Sequence, residues 1–173
     1  SDLRGQSLLP VFAGKETHKD YVHGIMTTRG INDGSDHYGI RSIRSEKYKL
    51  IWNLSPEVKF KNACTTAPEF KSWLALAATG NEDALAKTRR YQHRPEFELY
   101  DIQKDPLELT NLAADPKLAD TKKDLHQRLQ KWMESCQDQG KATELEAPQH
   151  MTEIETRRNP GSSTHKNELL GPK

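Results

Sequence analysis

Residues 23–41, "HGIMTTRGINDGSDHYGIR", place two imidazoles and two guanidiniums, His23, Arg29, His37 and Arg41, around one turn-rich stretch. A guanidinium offers paired N–H donors that match carboxylate or sulfate oxygens two at a time. An imidazole donates or accepts near neutral pH. Arg29 and His37 flank the turn residues Gly30, Asn32-Asp33-Gly34 and Ser35-Asp36, and binding residues favour loops on a rigid frame. His23 and Arg41 fall on strand patterns, where the plainer readings are a packed histidine and, with Arg44, a surface or interdomain salt-bridge partner. A second cationic run, "KTRRYQHR" (87–94), reads as a solvated helix face. A net charge of +1 over 173 residues gives no field for nucleic acid or an anionic membrane. Cys64 and Cys136 are too few for a disulfide framework, and their pairing is open. Neither lies in a zinc-ligand spacing.

The elements that must position these side chains follow from periodicity. The chain is 34% hydrophobic and 29% charged, which suits one modest core, and no apolar run approaches the roughly 20 residues that span a bilayer. Residues 21–28, 38–45, 48–54 and 97–102 read as strands. Ser45-Glu46-Lys47 supplies a tight hairpin between the second and third. In the second strand Arg41 and Ile43 share one face, and Ile40 and Ser42 the other. Residues 56–67 look irregular. Residues 67–80 carry Phe70, Trp73, Leu74 and Ala77 at helical spacing, and Asn81 can cap a second helix ending before Pro95.

The stretch "EFELYDIQKDPLELTNLAADP" (96–116) is a strand-turn-helix joint. Phe97, Leu99 and Tyr100 anchor the strand, and Lys104-Asp105-Pro106 turns the chain. Leu109 and Leu112 pin the link, Glu108 and Asn111 are expected to bond loop backbone, and Asp115-Pro116 launches a helix. There Leu118, Leu125, Leu129, Trp132 and Met133 form one apolar stripe, with Gly140 as the stop. Truncating Trp132 to alanine should cost about 3–5 kcal/mol if it lies in the packing seam. The expected fold is therefore α+β: a small antiparallel sheet of about four strands, covered on one face by the long C-terminal helix, with a helical insertion. Residues 141–173 form a polar tail too poor in large apolar residues for a core of its own. The opening residues lack a methionine and an apolar leader, so the chain is expected to begin inside a longer protein.

The joint resembles the C-terminal subdomain of sulfatases of the alkaline-phosphatase-like superfamily. The matching residues are Glu98-Leu99-Tyr100-Asp101, Asp105-Pro106, Glu108, Asn111-Leu112, Asp115-Pro116 and Trp132. "GQSLLPVFAGK" is similar to the family's interdomain segment, and "GIRSIRSEKYKLIWNL" to its Arg-rich hairpin. The insertion between Pro68 and Pro95 brings the chain nearest the heparan N-sulfatase (sulfamidase) branch and its bacterial relatives. The resemblance spans about residues 8–140. It implies residues 1–140 as a sulfatase C-terminal subdomain, truncated at its N-terminal edge, and 141–173 as the tail.

It also implies a reaction, the hydrolysis of sulfate esters or sulfamates of carbohydrates, in a periplasmic, secreted or lysosomal setting. Family members use a formylglycine nucleophile, made from Cys or Ser in Cys/Ser-x-Pro-x-Arg, with calcium polarising the sulfate. None of the nine prolines here has Cys or Ser two positions before it. The nucleophile and the calcium are thus expected in a missing N-terminal catalytic domain, the partner of this chain, and the isolated chain is expected to be inactive. Its share would be to shape the pocket, with Arg29, His37, His23 and Arg41 as candidate contacts to the sulfated sugar. The competing reading is a non-catalytic α+β binding or interaction module.

Overall fold

A computed structural model describes residues 5–14, 18–28, 31, 33–35 and 37–150. In chain order the elements are α1 (Leu9–Phe12), β1 (Val22–Thr27), β2 (Gly39–Arg44), β3 (Tyr48–Asn53), α2 (Ala63–Thr66), α3 (Pro68–Ala78), α4 (Glu82–Gln92), β4 (Phe97–Asp101), α5 (Ala119–Ser135) and α6 (Lys141–Glu146). The four strands form one antiparallel meander in the order β1-β2-β3-β4. The β2–β3 turn closes as its sequence requires. Ser45 Oγ accepts from the Tyr48 amide at 3.0 Å, and the Ser45 amide donates to the Tyr48 carbonyl at 2.8 Å.

Helix α5 covers one sheet face. The register aligns Ile43, Leu50 and Leu99 in a row across β2, β3 and β4, and Leu125, Leu129 and Met133 pack onto it. The opposite face is covered too, which differs from the one-sided sheet expected from sequence. Ile40, Ile51 and Tyr100 are buried there with Tyr38 and Phe60. Phe60, on the stretch read as irregular, meets Tyr38 at 5.1 Å and Tyr91 at 5.6 Å, so the insertion is fastened to the sheet by edge-to-face rings. Alternation assigns the two faces of a strand, but only a long-range contact tells which element covers each face.

The insertion is also tied by charge. Glu98, 5% exposed, accepts from Arg94 Nε at 2.8 Å, Asn53 Nδ2 at 2.7 Å and the Tyr100 hydroxyl at 2.5 Å. Burial alone would raise its carboxyl, but these donors, Arg94 first, hold it below the usual carboxylate range. Asn81 caps α4 by accepting from the Ala84 amide at 2.9 Å, as expected.

The joint after β4 behaves largely as read. Asn111 works as a surrogate strand edge: its Oδ1 accepts from the Leu99 and Ala113 amides, both at 2.9 Å, and its Nδ2 donates to the Phe97 carbonyl. Glu108 does otherwise, pairing with Lys49 Nζ at 2.9 Å, and Leu109 is exposed, leaving Leu112 to pin the link. Asp115 caps a short 3-10 turn, Pro116–Leu118, ahead of α5.

Helix α5 ends at Ser135, short of Gly140. Gln137 takes a left-handed φ of 58°, its amide reaches the Glu134 carbonyl, and the Asp138 amide reaches Met133, which closes the helix in a Schellman motif without glycine. Gly140, at φ 65°, instead opens α6, so residues 141–146 of the stretch read as tail are helical. Residues 151–173 lie outside the described set. Among the described residues no helix is long and apolar enough to cross a membrane.

His126 gives the core a pH dependence. Its ring stands edge-on to Trp52 at 4.8 Å and Phe97 at 4.9 Å, and its buried Nε2 has no hydrogen-bond partner among the described residues. Burial, with Lys122 adding to it, lowers its pKa from 6.5. A lowered histidine pKa means the unfolded chain takes up the proton first. Stability is therefore full above pH 6.5 and declines as pH falls below it. Urea midpoints at pH 7.5 and 5.5 should drop on acidification, and His126→Phe should flatten the drop. An unchanged slope in the variant would place the effect elsewhere.

Candidate functional site: the loop between β1 and β2

The turn-rich loop leaves β1 after Thr27 and re-enters the sheet at Gly39. Thr28 and Ser35 hold its base. The Thr28 amide donates to the Tyr38 carbonyl at 3.2 Å, and the Tyr38 amide donates back to Thr28 Oγ1 at 3.0 Å. Thr28 Oγ1 in turn donates to the Ser35 carbonyl at 2.5 Å. Ser35, 3% exposed, reaches across to the stretch after β3: its Oγ donates to the Lys59 carbonyl at 2.6 Å and accepts from the Lys61 amide at 2.9 Å. Gly34 is required by contact, since a Cβ there would stand 2.8 Å from the Thr28 carbonyl oxygen. The loop base is thus a closed hydrogen-bonded knot, the rigid frame a binding loop needs.

Of the four candidate residues the structure describes three, and it places them apart. His37 is on the loop, half-buried beside Tyr38, and its charge adds a minor share to the lowering of the Glu57 carboxyl, which the bond to Lys141 dominates. Arg29 lies outside the described residues. His23 faces α5, stacked flat on Trp132 with ring centroids 4.6 Å apart, and burial with nearby Lys19 lowers its pKa. It lines an open groove of about 1000 Å³ with Tyr21, Lys19 and Trp132.

Arg41 is in the interior, 2% exposed. Its Nε pairs with Asp138 Oδ2 at 2.5 Å and its Nη2 with Glu144 Oε1 at 2.9 Å. Burial opposes its charge, but the two carboxylates outweigh it and its pKa is raised, while Asp138, bonded to Arg41 and the Gly140 amide, is held low. Arg41 does form salt bridges, but buried within this unit rather than at the surface or domain edge that its hairpin position suggested, and two carboxylates engage its guanidinium. Asp138 and Glu144 were not legible as its partners, because both lie in a polar stretch whose only local signal was a plausible helix stop.

No metal cage accompanies these residues. Among the described residues no three His, Cys, Asp or Glu side chains are grouped to hold an ion, so the described residues do not fit a calcium site and no step here runs through calcium. What the described residues bring together is a hydrogen-bonded loop base at Thr28, Ser35 and Tyr38, next to His37, on a sheet braced by a buried ion triad.

An antiparallel meander under one amphipathic helix, with a helical insertion before its last strand, defines the small α+β subdomain, and the homologues of this chain are sulfatases. It is 30% identical over 138 residues to an ulvan-active sulfatase of Formosa agariphila, the match covering 79% of this chain and 26% of that protein. It is 28% identical over 139 residues to N-sulphoglucosamine sulphohydrolase of Homo sapiens, covering 79% of this chain and 27% of that one. The chain therefore spans about a quarter of the length of the curated relatives it matches, as a C-terminal sulfatase fragment would. No family model matches the sequence. Two solved structures share the fold at a TM-score of 0.50. One, solved with its substrate D-glucosamine-2-N,6-O-disulfate, is 19% identical, covering 82% of this chain and 22% of its own; the other, a 2-O GAG sulfatase, is 18% identical, covering 92% and 24%.

Proposed function

We propose that this chain is the C-terminal part of a sulfatase that hydrolyses sulfate esters or sulfamates of carbohydrates, and that the loop between β1 and β2 borders the sugar pocket. The observation that carries the reading is the 30% identity over 138 residues to a sulfatase of which those residues make up only 26%. In this reading the nucleophile and the calcium belong to the rest of the polypeptide, since no Cys/Ser-x-Pro-x-Arg occurs here. The chain's own residues bind and orient. Arg29 supplies a bidentate donor to a sugar carboxylate or sulfate, and His37 a donor or acceptor to a sugar hydroxyl. The knot at Thr28 and Ser35 supplies the stiffness that turns such contacts into positioning.

The test is to assay the full-length polypeptide, wild type and Arg29→Ala, on a sulfated oligosaccharide and on a small aryl sulfate. The wild type is expected to turn over both. Arg29→Ala should lose about ten- to hundred-and-fifty-fold in kcat/KM on the oligosaccharide, the worth of one charged hydrogen bond, and almost nothing on the aryl sulfate. Arg29→Lys should recover only part, because an ammonium lacks the planar fork. Absence of any hydrolysis by the wild type would overturn the sulfatase reading, and equal losses on both substrates would move Arg29 from the sugar to the reacting centre or the fold.

A further inference from the structure

Helix α6 belongs to the stretch that sequence reads as a polar tail, yet Glu144, its central carboxylate, is 4% exposed. Its Oε2 accepts from Thr27 Oγ1 at 2.5 Å, at the residue where β1 gives way to the loop. Its side chain lies across Gly39, the residue where the loop re-enters β2: a Cβ on Gly39 would stand 2.6 Å from Glu144 Cγ and 2.8 Å from Cδ. Its Oε1 pairs with Arg41 Nη2 at 2.9 Å, and Arg41 is itself locked to Asp138. One carboxylate thus touches both stems of the loop and is fixed from behind by a buried cation. The helix that carries it is placed independently: a Cβ on Gly140 would stand 3.5 Å from the Leu54 and Met133 side chains, the Gln139 amide donates to Thr143 Oγ1 at 2.8 Å, and Lys141 pairs with Glu57.

We propose that Glu144 is a positioning residue of the loop between β1 and β2, and that α6 is the strap that carries it across the sheet end. The carboxylate sets the spacing and angle of the two stems, and with them the loop base at Thr28, Ser35 and Tyr38 and the place of His37. What this does for a substrate rests on the reading of the loop as sugar-facing; that Glu144 holds the loop does not. Its nature follows from the geometry. Glycine at 39 is the space the carboxylate occupies, and threonine at 27 is the donor it meets, so the loop and the strap fit as one unit although 117 positions separate Thr27 from Glu144.

Amide hydrogen exchange on the full 173-residue chain tests this with no sugar present, so the result stands apart from the sulfatase reading. The probes are the loop-base amides of Thr28, Ser35 and Tyr38, with Leu50 and Leu99 as core references. Glu144→Ala should speed exchange at the loop base about tenfold or more, the effect of removing a charged hydrogen bond from a local opening, whereas Leu129→Ala, a core variant that leaves the strap intact, should speed Leu50 and Leu99 and leave the loop base within about twofold. Glu144→Gln keeps an oxygen for Arg41 and a polar partner for Thr27, and should stay within about threefold of wild type at the loop. Thr27→Val removes the bond to Glu144 and leaves the ion triad, so it reports even if Glu144→Ala does not fold; it should speed the loop base by several-fold. Loop amides unchanged in Thr27→Val and Glu144→Ala, or loop amides speeded as much by Leu129→Ala, would overturn the proposal. Failure of the sulfatase assay with these exchange results intact would remove the sugar and leave the strap.

Discussion

Replacing Arg41 by methionine is expected to destabilise the chain by about 3–5 kcal/mol, the cost of breaking a buried ion pair by removing one partner. Methionine approximates the stem of arginine, so the loss is not one of volume. It comes from Asp138 and Glu144, whose side chains are 7% and 5% exposed and would be left as two carboxylates without a cation. Their mutual repulsion would then favour expulsion of α6. Arg41→Lys should recover only part, because one ammonium cannot serve Asp138 with Nε and Glu144 with Nη2 at once. Urea unfolding at neutral pH measures the loss. In the wild type the Asp138 share has a defined pH sign: its carboxyl is held below 3.8, so its contribution is present above that value and is lost as pH falls below it. A loss under about 1 kcal/mol for Arg41→Met would mean that the pairs behave like exposed ones.

Leu129→Ala should cost about 2–5 kcal/mol, placed toward the upper end because the site is closed on every side and cannot collapse easily. Leu129 is 0% exposed and packs with Ile43, Leu50 and Leu99, the row that crosses three strands. Trp132→Ala should cost less, although the sequence gives the tryptophan the larger apolar area. Trp132 is only half-buried, one face on the core and the other stacked on His23 beside the groove, so part of its cavity would open to solvent. Thermal or urea unfolding of both variants ranks them, and a larger loss for Trp132 would mean that the helix is rotated about its axis from the orientation described.

The sequence by itself determined the local elements, because the forces that choose them act within a few residues. Alternation marked the four strands, Asn81 and Asp115 announced their helices by capping, the 3.6-residue stripe from Leu118 to Met133 placed the core side of α5, and the ordered motifs around "ELYD" pointed to the sulfatases. Tertiary structure decided what depends on distant partners. Whether Arg41 faces a ligand or the interior turned on Asp138 and Glu144, 97 and 103 residues away, and no local pattern encodes that pairing. The same holds for the second covered face of the sheet, which rests on Phe60 and Tyr91 meeting across the insertion. It holds for the end of α5, where Gln137 accepts a left-handed backbone that composition would assign to Gly140. A helix stripe reports that a residue faces inward, whereas its depth is set by what stands opposite, and this is why Leu129 rather than Trp132 carries the seam.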